Sequence, residues 1–342
     1  PDGDSLAISS HDCGTQLWHL NPDFLVKHFP ESSGICTFTT DGRQLVFAQG
    51  RDVVIWDMEQ GSIVERWTPD IPDATIRRGS DARGTVYCFS EIDISPGGRL
   101  VALGCSAPMA YSQGGLQRVV VIDIATKRQI FAYDSGGRHQ SVEFSPDGKL
   151  FAISLRSLDS PQTRIYRTED WSVEHVAEWM SESCFSPDGK WLVTGGPSQS
   201  ESEENCRVAL YRVGEWSDSR DIAVVSDRIS DLTFATDGRS VVSSGFDRTV
   251  RLYDIPTQRE VLKLSTGLRW PQSLSFGPEE KRIVYGTKTQ LSKTSSLGGA
   301  IIESTLPSIW REPEAARDSI LRLRSELKST DQRLELYRSV VP

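Results

Sequence analysis

The chain has 342 residues, 37% of them hydrophobic and 25% charged, with a formal net charge of -9, which allows one large repeat domain or two ordinary ones. The acidic balance speaks against a general nucleic-acid or anionic-membrane binder, because neutralising phosphates takes clustered Lys and Arg. No run approaches the roughly 18 apolar residues of a membrane span, and no signal-peptide series opens the chain, which starts at Pro1 without an initiator Met.

One hairpin pattern recurs along the chain. Val142 to Ile153 reads as an alternating strand, an Asp147-Gly148 turn and a second alternating strand. Copies of the turn fall at Asp2-Gly3, Asp41-Gly42, Gly97-Gly98, Asp147-Gly148, Asp188-Gly189 and Asp237-Gly238, with a worn copy at Glu279-Glu280. Their mean spacing is about 46 residues, near the roughly 40 to 45 of a four-stranded propeller blade, so seven turns predict seven blades. A third strand follows each turn, as at Thr15–His19, Val53–Asp57, Val119–Asp123, Thr163–Arg167, Arg207–Arg212 and Thr249–Asp254. Outer fourth strands follow at Ser62–Trp67 and Glu260–Leu264.

The unit from Ile229 to Leu264, with Ser-Gly-Phe-Asp-Arg-Thr-Val-Arg-Leu-Tyr-Asp between Ser244 and Asp254, resembles a WD40 repeat, and similar units run from Pro1 to about Ser304. The resemblance implies an all-β, seven-bladed WD40-like β-propeller over residues 1–306. No unit has the family's Gly-His dipeptide, and Trp56-Asp57 is the sole intact Trp-Asp pair. The buried Asp-His-Ser-Trp network of strong repeats is therefore incomplete, and apolar packing between blades is expected to compensate. Asp247 matches the family's tight-turn Asp, with the expected role of satisfying backbone donors of its turn. The innermost strand of the first blade is missing from the sequence. Either an upstream segment or the C-terminal tail is expected to fill that slot, because an open inner edge is a liability.

Extra residues gather in four connections, Thr68–Thr85, Ser106–Gln117, Arg156–Gln162 and Gly196–Asn205, all on the face opposite the Asp-Gly turns. Insertions on one face of a repeat array mark a binding face, unless they are drift of surface loops. Arg77, Arg78 and Arg83 form a basic cluster there, and Glu201, Glu203 and Glu204 an acidic one. Residues entering the innermost strands on this face point toward the mouth of the propeller: Tyr87, Arg138, His139, Trp179, Arg228, Arg269 and Trp270, joined by Phe246 from a loop. Aromatic and Arg side chains offer large contact area and planar hydrogen bonding, so these eight are the candidate partner-binding residues.

After Pro307 the period becomes helical, and Pro313 suits a first helical turn. Ala316, Ile320, Leu323, Leu327, Thr330, Leu334, Tyr337 and Val341 alternate spacings of four and three, predicting an α-helical tail over 307–342. Ile320, Leu323, Leu327, Leu334 and Tyr337 form the expected assembly seam, serving either a coiled coil or docking on the propeller. Mixed charges on the other faces suit a solvated helix.

No nucleophile elbow, P-loop, dinucleotide fingerprint or zinc helix occurs. Gly114-Gly115 and Gly195-Gly196 read as loop glycines without a following helix, so no phosphate cradle is expected. Six scattered cysteines read as core filler in a reducing compartment, with no metal site and no cofactor. Carboxylates gathered around the central channel from distant blades are beyond what spacing reveals. The leading expectation is a non-enzymatic scaffold that binds a protein or peptide partner, cytoplasmic or nuclear, without membrane or nucleic-acid contact. The competing expectation is the sensor propeller of a larger signalling enzyme or NTPase whose catalytic part lies upstream.

Overall fold

A computed structural model describes residues 5–10, 14–20, 23–29, 32–71, 88–106, 117–135, 138–156, 161–178, 180, 182–197, 206–265, 269–276, 282–289 and 300–305. Their strands form seven antiparallel sheets, each a meander of consecutive strands. The first holds β1 (Ser5–Ser10), β2 (Gly14–Leu20) and β3 (Asp23–Phe29); the second β4 (Ser32–Phe38), β5 (Gln44–Gln49), β6 (Asp52–Asp57) and β7 (Ser62–Trp67). The third holds β8 (Cys88–Ile94), β9 (Leu100–Ser106), β10 (Gln117–Asp123) and β11 (Arg128–Ser135), and the fourth β12 (Arg138–Phe144), β13 (Leu150–Arg156), β14 (Gln162–Arg167) and β15 (Val173–Glu178). In the fifth are β16 (Glu182–Phe185), β17 (Trp191–Pro197), β18 (Cys206–Arg212) and β19 (Glu215–Val225). The sixth comprises β20 (Ile229–Phe234), β21 (Ser240–Gly245), β22 (Thr249–Asp254) and β23 (Arg259–Ser265), and the seventh β24 (Arg269–Phe276), β25 (Arg282–Thr289) and β26 (Ala300–Thr305). Among the described residues β1 has a strand partner on one edge, β2.

The hairpin turns are built by side chains as much as by glycine. Gly148 takes φ 70°, and its N–H closes onto the Ser145 carbonyl at 2.8 Å, so glycine occupies the last position of a four-residue turn. Pro146, with its φ preset, suits the second. Ser145 Oγ accepts from Leu150 N at 2.9 Å and donates to Asp147, which also accepts from Lys149 N. The same arrangement recurs with Ser186 and Asp188, and with Thr39 and Asp41. Gly97-Gly98 keeps Ser95 but lacks the aspartate; Asp237-Gly238 keeps the aspartate but has Ala235 in place of the hydroxyl.

Consecutive sheets pack face to face. β5, β21 and β22 are buried on both faces, whereas outer β7 has only exposed and half-buried residues, because only the middle strands have neighbours on every side. Val46, Ala48, Val53 and Ile55 of the second sheet meet Ile94, Val101, Leu103, Val120 and Ile122 of the third. Ala102, Val119 and Val121 on the opposite face of the third meet Val142, Phe151 and Ile153 of the fourth. Val193, Val208 and Leu210 of the fifth meet Ile229, Leu232 and Val241 of the sixth. Cys105 and Cys206 lie inside these clusters as small apolar fillers. Outer strands carry a bulge against the third strand at a matching place, leaving Val64 and Ile130 unpaired and over 40% exposed.

Gly195 and Gly196 lie within β17, not in a loop as the sequence suggested, and the strand continues to Pro197. A Cβ on Gly195 would fall 2.5 Å from Ile229 Cδ1 and 3.1 Å from Leu232 Cδ1, so the missing side chain is what lets the sixth sheet close on the fifth. Most of the four inserted connections, the Asp2-Gly3 and Glu279-Glu280 turns and residues 307–342 lie outside the described residues.

Candidate functional site

Arg228 and Phe246 are brought together at the end of the sixth sheet opposite its Asp237-Gly238 turn. Arg228 precedes β20, and Phe246 follows β21. The Phe246 N–H donates to the Arg228 carbonyl at 2.8 Å, and the guanidinium carbon sits 4.7 Å from the phenyl centroid, in cation–π range. Gly245 eases this crossing, since a Cβ there would stand 3.1 Å from the Arg228 carbonyl oxygen, a tight contact. Arg228 keeps a side-chain exposure of 55%, with its Nε 3.8 Å from Asp227.

The turn that follows Phe246 is tied by side-chain bonds. Asp247 accepts from Thr249 N at 3.1 Å, Thr249 Oγ1 at 2.6 Å and Arg251 Nη2 at 2.6 Å, and Arg251 Nη1 donates to Glu260 at 2.8 Å. Burial raises the Asp247 pKa, but these bonds outweigh it, and the carboxyl stays below its ordinary value. The expected turn-stabilising role of Asp247 is therefore met, with Arg251 as a partner the sequence did not suggest.

Of the other expected partner-binding residues, Arg138 and His139 open β12 and Arg269 and Trp270 open β24. They stand at the same end of equivalent strands as Arg228, with their side chains outside the description. Tyr87 and Trp179 lie outside the described residues, as do Ile320, Leu323, Leu327, Leu334 and Tyr337 of the expected tail helix.

A second cluster lies where the inner strands meet. The innermost strand of each sheet has an edge that its own sheet does not cover, and N–H groups on that edge need acceptors. Side chains from the preceding sheet supply them. Asp93 accepts from Phe144 N at 2.7 Å, Glu143 from Phe185 N at 3.0 Å and Asp231 from Leu274 N at 2.6 Å. Cys184, at the place matching Glu143, is bonded by the Phe234 backbone and donates its thiol to Glu143 at 3.7 Å.

These carboxyls hold their protons unusually well. Burial pushes Asp93 and Asp231 up to about 7, against the opposing pull of the backbone N–H groups they accept. Glu91 is raised well above the ordinary value by burial and then by Asp231, and Glu143 by burial and then by Asp93. Glu91 and Asp231 belong to the third and sixth sheets, so acids from non-adjacent sheets converge on one centre. Among the described residues no three His, Cys, Asp or Glu side chains are placed to hold a metal ion.

Sequence reasoning missed this cluster. A signal was present, since Asp93, Glu143 and Cys184 each stand two residues before the serine that opens the hairpin turn, at Ser95, Ser145 and Ser186. Stacking the repeats on that serine would have exposed a polar position inside the innermost strand.

The family model described as "WD domain, G-beta repeat" matches residues 167–202 and 222–254. LEC14B protein of Lithospermum erythrorhizon is 27% identical over 170 residues, a match covering 44% of this chain and 35% of that relative, little more than a third of its length. The second matched segment begins on outer strand β19 and ends on β22, so the sequence repeat runs out of phase with the sheet. One repeat ties the outer strand of one sheet to three strands of the next.

Proposed function

We propose that this chain, which matches the WD40-repeat family model over residues 167–202 and 222–254, is a seven-bladed propeller scaffold that binds a protein or peptide on the face carrying Arg228 and Phe246. The observation behind this reading is the exposed Arg228 guanidinium stacked on Phe246 beside a turn tied by Asp247 and Arg251. A planar donor held in one orientation loses little entropy on binding, and an aromatic ring beside it adds apolar contact. Arg138, His139, Trp179, Arg269, Trp270 and Tyr87 extend the same rim in this reading, and the inserted connections border it. The scaffold performs no chemistry of its own. A helical tail over 307–342 adds assembly or docking through the seam around Leu327.

Photo-crosslinking separates the two faces. A benzophenone amino acid at position 246 is expected to form adducts with a partner in an extract of the source cells, whereas the same probe at position 188, in the opposite turn, is not. Adducts at 188 with none at 246 would place binding on the wrong face for this proposal.

A further inference from the structure

The carboxyls at the centre do more than fill an edge. Asp93, Glu143 and Asp231 each reach from one inner strand to the backbone of the next, joining the third sheet to the fourth, the fourth to the fifth and the sixth to the seventh. Glu91 stands two residues before Asp93 on the same strand. Among the described residues none of these four is in a salt bridge with Lys or Arg. The Cys184 thiol on β16 stands against Glu143, and Arg138 and His139 open β12, at the end of that strand away from Glu143. β4 brings no titratable side chain except Cys36, and β24 has Arg269 at its far end. Acids with no cationic partner among the described residues, and in no group of three placed there to hold a metal ion, have the proton as the remaining means of losing charge.

We infer that Glu91, Asp93, Glu143 and Asp231 form a proton-loaded clasp whose ionisation loosens the contacts between successive sheets, making the ring a pH-responsive device. The protonated carboxyl still offers its carbonyl oxygen to the neighbouring N–H, so the stitch survives without the charge. Losing the protons adds repulsion and the cost of burying charge at the point where sheets converge. The sign follows from linkage: these groups bind more protons folded than unfolded, so their stabilising contribution is full below pH about 4 and is lost as pH rises, for Asp93 and Asp231 through about 7.

The test compares the thermal stability of the wild-type chain with Asp93→Asn/Glu143→Gln/Asp231→Asn, from pH 5 to 8.5. The amides keep the acceptor oxygen and remove the charge. The triple variant is expected to melt at least about 5 °C above wild type at pH 8, with the gap closing toward pH 5. Parallel curves across the range would overturn the clasp. Should the triple variant fail to fold, hydrogen exchange of the wild-type Phe144, Phe185 and Leu274 amides decides the matter, after correction for the intrinsic pH dependence. Lower protection at pH 8 than at pH 6 supports the clasp, and equal or higher protection overturns it.

Discussion

Asp147 and Asp247 are both turn aspartates with a basic neighbour, and their surroundings separate them. The Lys149–Asp147 pair spans 3.2 Å with side-chain exposures of 81% and 52%, so water screens it and its contribution is about 0 to 1 kcal/mol. The Arg251–Asp247 pair spans 2.6 Å with both side chains 8% exposed, and Arg251 also serves Glu260. Removing Arg251 leaves two carboxylates without their cation. Arg251→Ala is expected to cost about 2 to 3 kcal/mol, below the range for a fully buried pair because Glu260 is partly exposed. Lys149→Ala should cost about 0.5 kcal/mol or less, with urea unfolding measuring both. Arg228 and Phe246 were individually legible as residues at the end of the sixth sheet opposite its Asp-Gly turn. Their stacking was not, because it depends on the β20–β21 pairing that brings the Phe246 N–H to the Arg228 carbonyl.

At the scale of strands and turns, the connections between third and outer strands reuse one backbone shape with different residues. Gly61 takes φ 61° and its N–H bonds the Asp57 carbonyl; Lys127 at φ 59° and Trp171 at φ 58° repeat this with Asp123 and Arg167. A side chain there is strained, and each of these two touches the preceding sheet. Lys127 pairs with Glu65 and lies 3.8 Å from the Trp67 ring, while Trp171 stacks on Phe131 at 4.5 Å. Replacing Trp171 by Gly relieves about 1 kcal/mol of left-handed strain. The same change forfeits about 0.5 to 1.5 kcal/mol of stacking and roughly 1.5 to 3 kcal/mol of burial. Trp171→Gly should therefore destabilise in urea titration, despite supplying the residue the backbone prefers; a gain in stability would mean the stacking contributes little.

Strand order and turn chemistry were readable because they are local: Ser145, Asp147 and Gly148 act within six residues. Gly195 was misread for the converse reason. A Gly-Gly pair looks like a loop, and its purpose depends on Ile229 of another sheet. The central acids were hidden in the same way, since Glu91 and Asp231 meet only once intervening sheets are stacked.

For the molecule as a whole, the two kinds of acid set opposite pH limbs. Asp123 is held down to about 2, first by the Thr126 backbone N–H and then by Arg99, so its contribution is present above pH about 4 and lost as pH falls toward 2. Asp93 and Asp231 act in the other direction as pH rises through about 7. Between those limbs a sheet stack with both faces of its middle strands buried carries the exposed Arg228 and the half-buried Phe246. The most direct measurement is the affinity of the partner captured from position 246 for wild type and for Arg228→Ala/Phe246→Ala. A binding-face role predicts at least about a 30-fold loss, equivalent to about 2 kcal/mol, with the melting temperature unchanged. Wild-type affinity in the folded double variant would contradict it.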